Sequence, residues 1–250
     1  MQFSLDRFPA VTQFLVNIAR RKARPASPVV IAMDDAGDAR VFAQAFRTVI
    51  DIGAHAGEFT AVARGYVPHA KVFAFEPLPG PYRALAHVIA RCAQGSRAFP
   101  FALGDADDEC TMCEYPFTPC SSLLPAAASA RRWFPYMIGG VRRTVRILRL
   151  DDVLAIASIE RPALLKIDVQ GYEDRVLRGA VRTLFHVDSI LIETSMVPVY
   201  DGQWLFPEMR AWLEERGFSY SGAVRHHRSF FGGTIVQEDS LFTRSSRDQE

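Results

Sequence analysis

Val49-Ile50-Asp51-Ile52-Gly53-Ala54-His55-Ala56-Gly57 is an apolar, β-branched run that breaks into a turn bounded by two glycines. The run suits a strand buried on both faces, and the residues after Gly57 keep helical spacing, so the segment reads strand, turn, helix. Gly53 and Gly57 let backbone approach a ligand closely. The start of the following helix offers free N–H groups, and together these make a nucleotide-type site. The spacing is not G-x-G-x-x-G, because Ala54, His55 and Ala56 separate the two glycines, and no G-x-x-x-x-G-K-[ST] loop is present. The pattern D-x-G-x-x-x-G suits instead a ligand with an amino-acid tail and no pyrophosphate: Asp51 can face an ammonium group while the glycines admit the tail.

Outward from this segment, short β-rich runs alternate with longer helical stretches, the signature of βαβ units around a parallel sheet. Strands are predicted over 48–52, 71–76, 98–103, 164–169 and 189–194, and helices over 57–64, 81–92, 151–157, 172–185 and 207–216. Gly217 reads as a helix C-cap, and 218–224 with 234–243 form a closing antiparallel pair. The expected fold is therefore α/β, a doubly wound, Rossmann-like, mostly parallel sheet with an antiparallel strand at its C-terminal end. Residues 1–46 form an N-terminal helical extension and 47–250 the main domain. Within it, 105–141 is an inserted, lid-like segment holding three of the four cysteines and the aromatic cluster Trp133, Phe134 and Tyr136.

Composition narrows the classes of function. A chain of 250 residues, 49% hydrophobic, is enough for one well-buried core. No apolar run reaches the ~18 residues a membrane-spanning helix needs. Lys and Arg number 29 against 28 Asp and Glu, a net charge of +1 that provides no global field for nucleic acid or anionic lipid. Four cysteines are too few for a disulfide-dense secreted scaffold, which favours a cytoplasmic protein. The apolar stretch 8–19 is followed, not preceded, by Arg20, Arg21, Lys22 and Arg24, the wrong order for a signal peptide. It reads as an amphipathic helix that packs on the domain or on another subunit, which would make a homo-oligomer.

The second mark is Phe75-Glu76-Pro77, whose acid closes the next strand 25 positions after Asp51. In doubly wound folds an acid there, about 20 residues from the glycine turn, accepts hydrogen bonds from ribose hydroxyls. These segments resemble the FkbM family of S-adenosylmethionine-dependent methyltransferases when taken in order with Ala102-Leu103-Gly104-Asp105, Ser121-Ser122-Leu123, Leu150-Asp151, the stretch Leu165 to Glu173, Leu177-Arg178-Gly179-Ala180 and Val199-Tyr200-Asp201-Gly202. The resemblance spans about 48–244.

It implies a class I methyltransferase fold with S-adenosyl-L-methionine at the carboxyl ends of the strands. Asp51, Gly53, Ala54, His55 and Gly57 match the turn for the cofactor tail, and Glu76 with Pro77 the ribose position. Ala102 and Leu103 match positions flanking the adenine. Asp168 matches the position facing the methionine moiety and the substrate entrance.

The sulfonium already carries an activated methyl group, so the protein has chiefly to align the acceptor and exclude water. A hydroxyl acceptor, about as weakly acidic as water, also needs a general base or strong hydrogen-bond acceptor. The candidates are Asp168, His226 and His227, with Glu193 and Tyr200 behind them. Asp168 reads equally well as an orienter of the cofactor ammonium, and His226-His227 as a solvated loop pair. The acceptor walls are placed at Ser121, Ser122, Trp133, Tyr136 and Tyr200.

Cys110-x-x-Cys113 with Cys120 lacks a fourth ligand at zinc spacing, so no metal is expected. The reading is O-methylation of a small-molecule or glycosidic acceptor. Two rivals stay open: a nucleic-acid methyltransferase using the arginines from Arg131 to Arg149, and a non-catalytic cofactor-binding scaffold.

Overall fold

Val49 and Ile50 are neighbours in one strand, point to opposite sides of the sheet, and are both fully buried. That is possible only where helices cover both faces. The computed structural model describes residues 35–134, 137–229 and 233–244. It opens with α1 (Asp35–Val41), β1 (Thr48–Ile52), α2 (Glu58–Tyr66), β2 (Lys71–Phe75), α3 (Pro79–Ile89), β3 (Arg97–Phe99), β4 (Ala102–Leu103) and β5 (Asp108–Glu114). The short α4 (Ala130–Trp133), β6 (Val141–Leu148), α5 (Leu150–Val153), β7 (Ala163–Ile167), α6 (Glu173–Arg178) and α7 (Val181–Leu184) follow. β8 (Ser189–Ser195), α8 (Phe206–Glu214), β9 (Phe218–Arg228) and β10 (Ile235–Arg244) complete it. The N-terminal helix expected over 8–19, with the homo-oligomer expected through it, and Tyr136 lie outside the described residues.

The main sheet has seven strands in the order β3-β2-β1-β7-β8-β10-β9. The first five are parallel; β10 runs antiparallel to β8 and β9 antiparallel to β10. One face packs Ile50, Ile52, Phe75, Leu165, Ile167 and Ile192 against Val176 and Leu177 of α6 and Leu213 of α8. The other packs Val49, Val72, Leu164 and Leu191 against Phe59 and Ala63 of α2 and Leu85 of α3. Burying each such side chain contributes about 1.5–3 kcal/mol. Val41, Phe42 and Phe46, residues that the sequence pattern places in the N-terminal extension, belong to this second cluster. Strand order reverses between β1 and β7, and at such a switch point the crevice beyond the carboxyl ends is where open α/β sheets bind ligands.

Four expectations are corrected. The strand expected over 98–103 divides, because Pro100 has no N–H to continue the ladder; β3 joins the main sheet while β4 pairs with β6. The helix expected over 172–185 is two short helices that part at Gly179 and Ala180. The one expected over 151–157 shortens to α5 and a 3-10 turn at Ile156–Ser158. There the buried Asp151 turns its carboxylate onto the backbone N–H groups of Arg182 and Thr183, both at 2.8 Å, and so caps α7 from a distance in sequence. His226 and His227 are not in a loop: β9 continues to Arg228 because β10 pairs with it over nearly its whole length.

Segment 105–141 contributes β5, which pairs with β6 in a three-stranded sheet ordered β4-β6-β5. At one edge of the main sheet α1 lies beside β9, where Arg40 donates to the Ala223 carbonyl at 3.1 Å. No helix among the described residues is long and apolar enough to cross a membrane.

Gly179 fixes how these layers meet. A Cβ built there lies 1.8 Å from the carbonyl oxygen of Gly104. Gly179 caps α6 from outside the helix, so alanine would gain little in propensity and would have to push that backbone aside. Gly179→Ala is expected to lower stability by about 1–3 kcal/mol, read as a lower urea midpoint. A midpoint at or above wild type would contradict the close approach.

Candidate functional site

The turn after β1 begins on one carbonyl of β2. Gly53 and Ala54 both donate their N–H to Phe75 O, at 3.1 and 3.0 Å. Gly53 has φ +75, and a Cβ there would lie 1.8 Å from the carbonyl oxygen of Asp168, so only glycine lets the ends of β1 and β7 cross this closely. His55, also in the left-handed region at φ 47, turns its backbone N–H onto Glu76 Oε2 at 3.0 Å. The other oxygen of Glu76 accepts the Leu78 N–H at 2.7 Å. Burial pushes the Glu76 carboxyl up, against the pull of those two N–H groups and of His55. Each oxygen keeps a further lone pair, which is what a pair of vicinal hydroxyls needs.

The His55 ring bridges two parts of the chain. Its Nδ1 is 3.1 Å from Glu58 Oε1 and its Nε2 is 2.8 Å from Thr118 Oγ1, in the inserted segment. Burial alone would lower the imidazole; the Glu58 carboxylate outweighs it and holds His55 above its ordinary value.

A row of charged side chains crosses the same face at the carboxyl ends of the strands, one layer beyond Val49, Leu164 and Leu191. Asp51 of β1 is fully buried, accepts a 2.7 Å hydrogen bond from Thr60, and stands 3.5 Å from Lys166 Nζ. The ammonium it faces is therefore the protein's own. Lys166 also lies 3.5 Å from Asp168 Oδ2 and donates to the Gly53 carbonyl at 3.1 Å. Burial would push Asp168 up, but Lys166 and the Gln170 amide overcome it and hold the carboxyl below its ordinary value. Gln170, at φ 57, donates through one Nε2 to Asp168 Oδ1 at 2.8 Å and to Glu193 Oε2 at 3.0 Å.

His227 joins this row through Asp239, with Nε2 to Oδ1 at 3.1 Å. Burial opposes its protonation; Asp239 and then Asp168 outweigh that and hold it above the usual histidine value. His226, one residue earlier, faces the other side and meets Glu238 at 3.7 Å.

The expected acceptor walls separate into tethers and surface. Ser122 is buried, donates to the Gln170 carbonyl at 2.6 Å and accepts the Leu124 N–H. Ser121 accepts the Tyr115 N–H at 3.1 Å. Tyr200 is also buried, with its hydroxyl within reach of Gln170 Oε1 at 2.9 Å and the Cys120 carbonyl at 3.0 Å. Trp133 is half-buried beneath the Arg132 guanidinium. Ala102 is buried in one cluster with Leu78, whereas Leu103 turns into the main core beside Ile52 and Phe75, and Pro77 follows Glu76 directly. Within the arginine stretch acids interleave: Arg143 pairs with Glu114, Arg146 with Asp107 and Arg149 with Asp152.

Sequence reasoning gave no role to Lys166, Gln170, Glu173 or Asp239. A lysine flanked by Leu165 and Ile167 in a fully buried strand was the available signal for the first, because a buried ammonium demands an anion. For the others register and loop conformation decide, and a linear pattern carries neither.

An acid after the second strand, a glycine turn after the first and a crevice between them define an α/β enzyme that binds a nucleoside-bearing cofactor. A family model described as the methyltransferase FkbM domain matches residues 51–220. The chain belongs to the FkbM family of methyltransferases, and its fold is of the class I methyltransferase type. It is similar to the 31-O-demethyl-FK506 methyltransferase FkbM of Streptomyces tacrolimicus, 29% identical over 210 residues, 76% of this chain and 78% of that protein. It is similar also to methyltransferase sdnD of Sordaria araneosa, 27% identical over 192 residues, 68% of this chain and 73% of that one. Among solved structures it resembles the 1,6-didemethyltoxoflavin-N1-methyltransferase of Burkholderia thailandensis, with TM-score 0.47 and 12% identity over 98% of this chain and 92% of that one.

Glu173 offers a pH test of this region. Its Oε1 accepts the N–H of Val169 at 3.0 Å and of Gly171 at 3.1 Å, and burial pushes its carboxyl up to about 7. A carboxyl raised on folding contributes stability that is full below its unfolded value near 4.5 and lost as pH rises through about 7. Glu173→Gln keeps the acceptor oxygen without the charge. Between pH 4.5 and 7 its stability should fall less than that of wild type, by a few kcal/mol, in parallel urea titrations. Superimposable pH profiles would show that Glu173 does not titrate with folding.

Proposed function

We propose that the protein transfers the methyl group of S-adenosylmethionine to a hydroxyl oxygen of a small-molecule or glycosidic acceptor. The observation that carries this reading is the pairing of Glu76 with the Gly53 turn on one side of the switch point and Asp168 on the other. Methyl transfer to oxygen is supported by the name of the Streptomyces relative, which places its reaction on a 31-O position.

The cofactor is S-adenosylmethionine, which supplies a methyl carbon already activated by the sulfonium. The residues present fit it. Each Glu76 oxygen, already holding one backbone N–H, keeps a lone pair for a ribose hydroxyl, the turn from Gly53 to Gly57 brings main chain close to the amino-acid tail, and Leu78 and Ala102 form an apolar border for the adenine. Asp51 is sealed by Thr60 and Lys166, so its part is to fix Lys166 and the turn.

Asp168 is the residue proposed to receive the acceptor hydroxyl. It is the most open carboxylate of the row, with 36% of its side chain exposed, and Lys166 and Gln170 fix its direction. Ionised at neutral pH, it takes the hydroxyl's hydrogen bond as the oxygen attacks and accepts the proton as the ether forms. His226, turned toward Glu238, has no part in this scheme.

Two substitutions test the reading. Glu76→Ala should weaken S-adenosylhomocysteine binding by about 1.5–3 kcal/mol, roughly 10- to 150-fold, in calorimetric titration. Unchanged affinity in a folded variant would remove Glu76 from the ribose site. Asp168→Asn should keep cofactor affinity yet lower turnover by about 10²–10⁴-fold once an acceptor is found by screening hydroxylated glycosides and natural-product scaffolds. Wild-type turnover would take Asp168 out of the proton-accepting role.

A further inference from the structure

Glu193, His227 and Asp239 come from three adjacent strands, and each brings one donor atom to within 4.8 Å of the others. Register explains the meeting. Asp239 lies directly opposite Glu193 in the β8–β10 pair, and His227 lies opposite Gln237 in the β10–β9 pair, two positions from the partner of Asp239. All three side chains therefore rise on one face.

Two carboxylates opposed across a strand pair repel, and here the repulsion is not balanced by the protein's cations. Among the described residues, the cations within ion-pair distance of Asp51, Asp168, Glu193 and Asp239 are Lys166 and Arg225, beside the His227 imidazole. Lys166 is shared between Asp51 and Asp168, and Arg225 stands 3.8 Å from Asp239. Glu193, 7% exposed, has no cationic partner within ion-pair distance among the described residues. Its Oε2 takes both available amides, Gln170 at 3.0 Å and Gln237 at 2.7 Å. Its Oε1 is left without a protein hydrogen bond among the described residues. Neutral amides orient a carboxylate without supplying a counter-charge, so one oxygen of this nearly buried side chain is left open to a positive ligand.

We propose that Glu193, His227 and Asp239 bind a divalent cation of the manganese type, which holds the oxygen of the methyl acceptor beside Asp168. One imidazole and two carboxylates suit such an ion, and three protein donors leave coordination positions for acceptor oxygens. A single amide nitrogen, Gln170 Nε2, spans from Glu193 to Asp168, so the cation and the proton acceptor border one space. The step, which rests on the reading given under Proposed function, balances as follows. The cation-bound hydroxyl gives its proton to Asp168, its oxygen bonds to the methyl carbon, and the carbon–sulfur bond breaks with its electron pair remaining on sulfur. Glu193 and His227 stood out in the sequence only as candidate bases, and Asp239 not at all, because positions 193, 227 and 239 have no ligand spacing until the strands pair.

The test is titration of the full chain, stripped with EDTA and dialysed, with MnCl₂, followed by loss of the free-ion electron paramagnetic resonance signal. Saturable binding of one ion per chain is expected, with His227→Ala and Asp239→Asn each weakening it at least about tenfold. Both variants should keep S-adenosylhomocysteine affinity within about twofold, measured by calorimetry. If Asp239→Asn does not fold by circular dichroism, Glu193→Gln replaces it. No saturable Mn²⁺ binding, or equal binding by the folded variants, overturns the cation site. Failure of the wild-type protein to bind S-adenosylhomocysteine would instead overturn the functional reading, and the Mn²⁺ titration is read independently of it.

Discussion

The arrangement at the switch point depends on one buried ammonium. Lys166 sits between Asp51 and Asp168 on adjacent parallel strands and donates to the carbonyl of Gly53. An unpaired charge in such a place costs several kcal/mol, so the lysine and the two acids are stable only together. Their mutual attraction draws the ends of β1 and β7 into contact where Gly53 and the Asp168 carbonyl nearly touch. The turn proposed to receive the cofactor and the carboxylate proposed to receive the acceptor are thereby fixed to one another.

From that contact a continuous set of polar bonds reaches into the inserted segment. Gln170 joins Asp168 to Glu193, Ser122 bonds the Gln170 carbonyl, and the Tyr200 hydroxyl reaches both the Gln170 side chain and the Cys120 carbonyl. On the side of the Gly53 turn His55 bonds Thr118. The segment is thus tied at both sides of the crevice by residues only a few positions apart. Serines and a tyrosine that look from sequence like acceptor walls act here as fastenings.

What the sequence disclosed follows from locality. The turn from Gly53 to Gly57 and the acid at Glu76 are separated by one βα unit, and their spacing is set by the helix between them. The helix and strand types were legible for the same reason. The charged row was not, because Asp239 meets Glu193 only through antiparallel pairing of β10 with β8. His226 and His227 looked like loop residues because the apolar pattern ends at Val224. Beyond it β9 is an edge strand whose polar side chains carry no burial signal, and only its alternation, once the pairing is known, sends His227 toward Asp168 and His226 away. Pro100 and Gly179 were visible, but the splitting they impose depends on which backbone each one meets.

That edge strand bears on how the molecule behaves in a crowded solution. An open edge invites a strand from another chain to extend the sheet. Here β9 carries Arg225, His226 and Arg228, its ladder with β10 is interrupted by register shifts, and Arg40 occupies the Ala223 carbonyl. Charge, irregularity and a guanidinium plug each oppose edge-to-edge pairing. The same polar residues that hide the strand from a hydrophobicity pattern guard it against self-association into extended sheets.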